Sequence, residues 1–152
     1  CFKVADSQVA SRWGNILDFK GFDLISCTEK EARYSLFEQD LPIRTLADEL
    51  LKKSKLKNLI LKLGHKGLIS LNRKRKDYIV LDPFVDKLVD SNGAGDALLA
   101  YSSASLFKTK SLIISSIIGT LAASCKCETE GNIAVSIKQI EEKINEIEKM
   151  LN

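Results

Sequence analysis

Apolar residues fall in short runs along the chain, and their spacing alternates between strand-like and helix-like. Strand-like runs are predicted at 2–5, 22–27, 59–61, 68–71 and 78–81. Helix-like spacing predicts helices over 28–38, from Thr45, over about 95–107 and 111–126, and from about Ser136. A short helix or turn is expected over 13–19. Strands that alternate with helices predict an α/β domain with a mostly parallel sheet.

Polar residues at the helix starts sharpen this pattern. Thr28 can cap the helix predicted over 28–38, and Glu31 follows three residues later, which is the signature of a capping box. Pro42 is expected to break that helix, and Thr45 with Asp48 to begin the next.

The last helix carries apolar residues at spacings of three and four: Ile137, Ile140, Ile144, Ile147 and Leu151. Such a seam favours docking on the same domain over pairing with a partner, because two heptads are short for a coiled coil.

Composition places the chain among ordinary globular proteins, with 152 residues, 45% hydrophobic and 28% charged. This length suits a single domain over residues 1–152. A net charge of +3 is too small to indicate nucleic-acid binding, and the basic cluster at 73–76 is expected at an exposed hairpin tip. No apolar run is long enough to cross a membrane.

The four cysteines lack the spacing of a zinc site, and the only histidine is His65. Cys27 lies in a strand-like run, while Cys125 and Cys127 end a helix-like one. Reduced, partly buried thiols in a cytoplasmic protein fit this pattern best.

The motif Asp90-Ser91-Asn92-Gly93-Ala94-Gly95-Asp96 carries the strongest chemical signal. A strand, a glycine turn and a helix start in that order make an anion site, because free backbone N–H groups converge there and the helix dipole adds positive charge. Asp96, in the first turn, would then lie beside a bound phosphate. This arrangement suits transfer of a phosphoryl group to a hydroxyl.

This motif resembles the second signature of the ribokinase-like PfkB carbohydrate kinases, D-T-T-G-A-G-D-A, which stands here at 90–97. Residues 28–31 take the place of the family's N-x-x-E motif, with Thr28 instead of the usual asparagine. Residues 63–67 match a glycine-bearing turn before a hairpin, and 130–132 match a late glycine turn. The resemblance covers nearly the whole chain and implies the C-terminal half of a ribokinase-like three-layer α/β/α sandwich.

The resemblance implies an ATP- and Mg²⁺-dependent kinase that phosphorylates a hydroxyl of a sugar or sugar phosphate. Asp96 would be the general base, and the N–H groups of Gly93, Ala94 and Gly95 would stabilise charge on the transferred phosphoryl group. The alternative is a tight turn without a ligand, in which Asp96 completes the first helical turn.

The same resemblance assigns the other candidates, whose shared role is to hold the nucleotide or its metal. The candidates for Mg²⁺ are Glu31 and Asp90. The candidates for the nucleotide are Gly64, Lys66, Gly67, Gly131 and Asn132. Structural alternatives stay open for these residues. A capping box is slightly favoured for Glu31, and a structural role at the end of the strand is about equally suited to Asp90. The segment 64–67 can be a plain turn, in which Lys66 is more often solvated.

The chain begins at Cys1 inside a strand-like segment, which predicts further sequence upstream. In the family, the sugar-binding residues and the lid come mainly from the N-terminal half, so that half is the expected partner besides the sugar. A homodimer is a further assembly that the resemblance allows. Competing hypotheses are a non-catalytic nucleotide-binding or regulatory module, an interaction domain that uses the last helix, and a nucleoside kinase of the same fold.

Overall fold

The computed structural model describes residues 1–7, 15–75, 78–131 and 133–151. The chain forms two compact units, Cys1–Asp82 and Pro83–Asn152. The single domain expected from the sequence over residues 1–152 stays a prediction.

The first unit is built on a five-stranded sheet in the order β1-β2-β3-β4-β5. Its strands are β1 (Val4–Asp6), β2 (Leu24–Thr28), β3 (Asn58–Lys62), β4 (Leu68–Asn72) and β5 (Tyr78–Leu81). Pairs β1–β2 and β2–β3 are parallel, whereas β3–β4 and β4–β5 are antiparallel. Four strands therefore share one direction and only β4 runs against them, so the predicted α/β class is confirmed with a mixed sheet.

The antiparallel pair β4–β5 confirms the predicted hairpin. Arg73, Lys74 and Arg75 are exposed at its tip as expected, while Lys76 lies outside the described residues. Of the short helix or turn expected over 13–19, residues 13 and 14 are likewise outside the described part, and Ile16–Asp18 form a 3₁₀ helix.

Helices α1 (Glu29–Leu36) and α2 (Ile43–Ser54) pack against the sheet around an apolar core. Alternate residues of β3, Leu59 and Leu61, join this core together with Leu46 and Leu50 of α2, all fully buried. The alternation of side chains along a strand places one face of β3 against the helices.

The boundary between α1 and α2 differs from the prediction. Helix α1 ends at Leu36, where Phe37 takes a left-handed conformation with φ 58° and closes the last turn, so Pro42 does not end it. Helix α2 begins directly after Pro42, at Ile43, and not at Thr45. Proline is well tolerated there because the first N–H groups of a helix have no intrahelical acceptor.

The strand directions gather several chain segments at one edge of the sheet. Strands β1, β2 and β3 end at Asp6, Thr28 and Lys62, and the turn at 63–67 leads from β3 into β4. Because parallel strands end on the same side, Asp6, Thr28 and Gly64 share this edge.

The second unit contains α3 (Ala94–Thr109), α4 (Leu112–Cys127) and α5 (Ile137–Leu151). Helices α3 and α4 approach closely through small residues: a Cβ on Gly119 would lie 3.0 Å from the carbonyl oxygen of Leu98 and 1.9 Å from Ser102 Oγ. The buried Ser115 hydroxyl donates to the carbonyl of Ser102 at 2.7 Å. The small residues of both helices therefore serve helix–helix contact.

Helix α5 docks on α4 through part of its predicted seam. Ile140 is buried in a cluster with Leu121 and Cys125, and Ile144 and Ile147 pack against it. Ile137 does not follow the pattern, since it is 68% exposed at the first turn. The side chain of Leu151 lies outside the described residues. Docking within the unit accounts for the seam without a partner helix.

All four cysteines are free thiols, as expected: Cys1 is exposed, Cys127 half-buried, and Cys27 and Cys125 buried. Burial raises the pKa of the Cys27 thiol far above its ordinary value, so this group stays protonated and unreactive. Within the described part of the chain, no helix combines the length and the apolar character that crossing a membrane requires.

Candidate active site

The glycine motif forms the start of α3, as its pattern predicts. Gly93 is the residue before the helix and has φ 78°, which a residue with a side chain adopts only at a cost. The N–H of Ala94 donates to the carbonyl of Ser91 at 3.2 Å, and the N–H of Ala97 donates to the carbonyl of Gly93 at 2.9 Å. The chain thus turns sharply into the helix at this point.

Three backbone donors at this turn have no acceptor among the described residues: the N–H groups of Gly93, Gly95 and Asp96. The glycines are half-buried and Asp96 is exposed in the first helical turn. Donors at a helix start carry the positive end of the helix dipole, so an anion bound there would gain both hydrogen bonds and favourable charge.

The segment before this turn is anchored to the end of α4. The N–H groups of Val89 and Asp90 both donate to the carbonyl of Cys127, at 2.8 and 3.0 Å. The Asp90 carboxylate accepts from the N–H of Asn92 at 2.9 Å and so shapes the loop. Asp90 does not end a strand, because β5 stops at Leu81 and a long loop follows. Tertiary contact with α4, rather than a strand end, positions the motif.

A charged cluster of Asp86, Glu128 and Lys143 reinforces this anchor and is not marked by any sequence motif. Glu128 accepts from the N–H of Asp86 at 2.7 Å and from Lys143 Nζ at 2.9 Å, and Lys143 also pairs with the Asp86 carboxylate. Burial lowers the pKa of Lys143, but its hydrogen bonds to Asp86 and Glu128 outweigh this effect and raise the pKa above the ordinary value. Lys143 therefore stays charged and ties α5 to the loop before the motif.

The late glycine turn follows α4 in the same unit. Gly131 has φ 77°, and its carbonyl accepts from the buried ammonium of Lys126 at 2.5 Å. Lys126 is only 3% exposed, and a buried ammonium needs a hydrogen-bond acceptor. The carbonyl of Gly131 supplies that acceptor, and the contact fixes the turn. Asn132 lies outside the described residues.

In the first unit, Thr28 and Glu31 form the capping box that the sequence predicts. The Glu31 carboxylate accepts from the N–H of Thr28 at 2.6 Å, and the Thr28 hydroxyl accepts from the N–H of Glu31 at 3.2 Å. Within the described ranges, no group of three or more metal-ligating side chains is assembled. Glu31 remains a candidate for contact with Mg²⁺ through water, because a capping carboxylate oxygen has a second lone pair.

The turn at 63–67 is a short 3₁₀ helix, Gly64–Lys66, between β3 and β4. The N–H of Leu63 donates to the carbonyl of Gly67 at 2.8 Å, which closes the turn. Gly64 has φ 63° with open space where a Cβ would stand, whereas a Cβ on Gly67 would lie 1.9 Å from the carbonyl oxygen of Leu81. Lys66 is exposed. Gly64 can therefore admit a ligand close to the backbone, and Gly67 is required for strand packing.

A cavity of about 450 Å³ opens beside this turn, entirely within the first unit. The residues that line it come from α1 and the segments around it and from the end of β3: Thr28, Glu29, Lys30, Arg33, Tyr34, Gln39, Lys62, Leu63 and Gly64. Five of these residues belong to predicted motifs: Thr28, Glu29 and Lys30 to the motif at 28–31, and Leu63 and Gly64 to the turn at 63–67. Sequence patterns did not indicate Lys62, because a lysine at the end of a strand is usually only a solvated charge.

The predicted site residues thus form two groups, one in each unit. Thr28, Glu31 and the 64–67 turn lie in the first unit, and Asp90 with 93–96 and Gly131 lie in the second. In the first unit these residues lie at the ends of β2 and β3, and in the second unit 93–96 lie at the start of α3, where backbone donors and polar side chains are available. Asp90 lies in the loop before α3, and Gly131 lies in the turn after α4.

Several solved structures are similar to this chain. Ribokinase from Thermotoga maritima is 25% identical with a TM-score of 0.72, over 82% of this chain and 42% of that protein. Ribokinase from Arabidopsis thaliana, complexed with ribose and ATP, is 20% identical with a TM-score of 0.79, over 93% and 46%. Phosphofructokinase-2 from Escherichia coli, in complex with fructose-6-phosphate, is 19% identical with a TM-score of 0.77, over 95% and 46%.

These likenesses confirm the predicted ribokinase-like fold, and the chain spans less than half the length of each of these proteins. Among curated proteins, none is similar enough in sequence to count as a match. The pfkB family carbohydrate kinase model matches residues 6–139. This range includes the turn at 63–67, the glycine motif with Asp96, and the late glycine turn at 130–132. The chain therefore belongs to the PfkB family of carbohydrate kinases.

Proposed function

We propose that this chain carries the nucleotide-handling part of an ATP- and Mg²⁺-dependent kinase that phosphorylates a hydroxyl of a sugar or sugar phosphate. Membership of the carbohydrate kinase family supports a phosphotransferase. The Arabidopsis ribokinase was solved with ribose and ATP, and the Escherichia coli phosphofructokinase-2 with fructose-6-phosphate, which supports this substrate class.

One observation carries the proposal: the free N–H groups of Gly93, Gly95 and Asp96 at the start of α3, with the Asp96 carboxylate exposed beside them. Phosphoryl transfer depends on positioning and on stabilising charge on the transferred oxygens. In this proposal the free N–H groups of Gly93, Gly95 and Asp96 bind those oxygens, and the Asp96 carboxylate accepts the proton of the attacking hydroxyl. The N–H of Ala94, expected to share this role, already donates to the carbonyl of Ser91.

The remaining candidates hold the nucleotide and its metal in this proposal. Gly64, Lys66 and Gly67 contact the nucleotide from the first unit, and Gly131 and Asn132 from the second. Mg²⁺ would be held by the carboxylates of Asp90 and of Glu31, through water in the latter case, and would neutralise phosphate charge. The sugar-binding site is completed in this proposal by the N-terminal half that the family resemblance implies. A homodimer stays a prediction.

An acceptor screen tests this function on the full-length protein. ATP and Mg²⁺ are supplied with sugars, sugar phosphates and nucleosides in parallel, and ADP release is followed together with the phosphorus spectrum of the products. We expect transfer to at least one sugar or sugar phosphate, abolished by EDTA. Transfer to nucleosides alone would make the protein a nucleoside kinase, and ATP binding without any transfer would favour a regulatory module.

Replacing Glu31 by glutamine separates its two candidate roles. Glutamine keeps an oxygen that accepts from the N–H of Thr28, so we expect the free energy of unfolding to fall by no more than about 1 kcal/mol. If Glu31 also orders the water shell of Mg²⁺, the half-saturating Mg²⁺ concentration for turnover should rise by about 10-fold or more.

The matched control is Ser111→Ala, which removes a side-chain cap at the start of α4, where the Ser111 hydroxyl accepts from the N–H of Ile114. It should cost about 0.5–2 kcal/mol of stability and leave the Mg²⁺ requirement unchanged. An unchanged Mg²⁺ requirement in Glu31→Gln would assign this residue to helix capping alone.

A further inference from the structure

The loop of residues 83–92, which leads into the glycine motif, is not fixed by apolar packing near the motif. Phe84 packs against the buried cluster of α4 and α5. Further along the loop, however, Leu88 is 66% exposed and Val89 is 48% exposed. Because these large apolar side chains remain in water, burial of apolar surface contributes little to the position of this part of the loop. Its hydrogen bonds therefore set where the motif begins.

Three backbone N–H groups of this loop donate to the end of α4. The N–H groups of Val89 and Asp90 donate to the backbone carbonyl of Cys127, and the N–H of Asp86 donates to the Glu128 carboxylate at 2.7 Å. The carbonyl of Cys127 is fixed by the helix, whereas the carboxylate of Glu128 belongs to a side chain with rotatable bonds. The contact of Glu128 with Asp86 therefore depends on what holds the carboxylate in place.

The position of Glu128 in the chain does not favour this contact by itself. Glu128 directly follows the last residue of α4, where the helix dipole leaves partial negative charge. A carboxylate at this end is repelled by the helix, and the nearby carboxylate of Asp86 adds a second negative charge. Glu128 consequently needs a cation to remain against the loop.

Lys143 of α5 supplies this cation. Its ammonium lies 2.9 and 3.2 Å from the two oxygens of Glu128, and it also pairs with the carboxylate of Asp86. Lys143 is only 5% exposed and lies three residues after the buried Ile140, on the face of α5 that docks on α4. The ion pairs are thus shielded from water, which strengthens them relative to pairs at an open surface.

We propose that Lys143 is a positioning residue for phosphoryl transfer. By holding Glu128 against the N–H of Asp86, it fixes the loop that presents the free N–H groups at 93, 95 and 96. This inference rests on the proposed kinase function for the reaction that it affects. The lysine acts through Glu128 and the loop rather than on the substrate. Its influence on the rate follows because donors that stabilise a transition state must be held in place, and a shift of about 1 Å costs up to about 10²-fold.

Steady-state kinetics of full-length Lys143→Met test this role, at a temperature where circular dichroism shows the variant to be folded. We expect kcat to fall about 10–100-fold and KM for ATP to change less than about 3-fold, because the displaced N–H groups act on charge that develops during transfer. Lys138→Met is the matched control on the same helix. Its side chain is 83% exposed and pairs with Glu142 at 3.5 Å, so kcat should stay within about 2-fold.

A double-mutant cycle shows whether Lys143 acts through Glu128. Glu128→Ala removes the acceptor of the Asp86 N–H and should lower kcat by about 10-fold or more. If the lysine works through this carboxylate, adding Lys143→Met to Glu128→Ala should lower kcat by less than about 2-fold further. Glu128→Ala leaves Lys143 paired with Asp86, so this variant carries the test if Lys143→Met does not fold.

Hydrogen–deuterium exchange reports the loop without any substrate. In Lys143→Met and in Glu128→Ala we expect exchange over residues 84–90 to accelerate about 10-fold or more, while exchange over residues 98–106 of α3 stays within about 2-fold. Equal acceleration in both segments would show general destabilisation and would overturn the positioning role.

Two kinetic results would also overturn the inference: an unchanged kcat in folded Lys143→Met, or losses in the double variant that multiply. The proposed function fails separately. Absence of phosphoryl transfer in the wild type would reject the kinase function, and selective acceleration of the loop would still identify Lys143 as the residue that fixes it. Transfer by the wild type, with unchanged kcat and unchanged loop exchange in Lys143→Met, would reject the role of Lys143 alone.

Discussion

Replacing Asp96 by asparagine is expected to lower kcat by about 10²–10⁴-fold, the range typical for loss of a general base. Asparagine keeps the shape of the side chain at the exposed first turn of α3 but cannot accept the proton of the attacking hydroxyl. The free energy of unfolding should fall by only about 0.3–1 kcal/mol, which is the contribution of a carboxylate near a helix start. Steady-state kinetics and urea denaturation of the same preparation measure both quantities.

The control for this variant is Asp40→Asn, which removes one carboxylate from the exposed turn between α1 and α2. It should leave kcat unchanged within about 2-fold. Binding of ATP should survive in Asp96→Asn, because the free backbone N–H groups of residues 93, 95 and 96 do not depend on the carboxylate. Turnover of Asp96→Asn at the wild-type rate would remove Asp96 from the reaction.

Replacing Gly67 by alanine should produce the largest loss of stability, about 3–5 kcal/mol. Gly67 has φ 77°, which is strained for alanine, and the added Cβ would lie 1.9 Å from the carbonyl oxygen of Leu81. That oxygen belongs to the backbone of β5 and cannot rotate away, so the edge between β4 and β5 must open. Strain in the backbone and overpacking each cost about 1–3 kcal/mol, and both act here.

Gly64→Ala is the matched control within the same turn. Gly64 also has a positive φ, 63°, but nothing lies within 4 Å of the added Cβ. Only the backbone strain remains, at about 1–2 kcal/mol. Equal losses in the two variants, measured by urea denaturation, would show that the contact with Leu81 does not limit the packing of β5.

Local chemistry explains where sequence reasoning succeeded. The capping box of Thr28 and Glu31 needs only residues three apart, and its two hydrogen bonds form within one helical turn. The start of α3 likewise follows from a glycine that adopts a positive φ directly before a helix-forming run. Such features depend on a few neighbouring residues, so their signal is complete in the sequence.

The wrong expectations have a different origin. Asp90 was expected to end a strand, yet the carbonyl of Cys127, far along the chain, anchors its N–H. Ile137 matches the spacing of the α5 seam but lies at the first turn of the helix and remains exposed. In both cases the outcome depends on which distant element packs nearby, and periodicity carries no information about that.

Local residue patterns alone determined the α/β class, the hairpin, the starts of α1, α3, α4 and α5 and the position of the glycine motif in this protein, because hydrophobic alternation, capping and glycine conformation act within a few residues. Tertiary structure alone decided which charges meet. It brought Lys62 against Asp6 at the end of the sheet, and Lys143 against Asp86 and Glu128 beside the motif. These contacts join residues far apart in the chain, and their energies arise only when packing removes both partners from water.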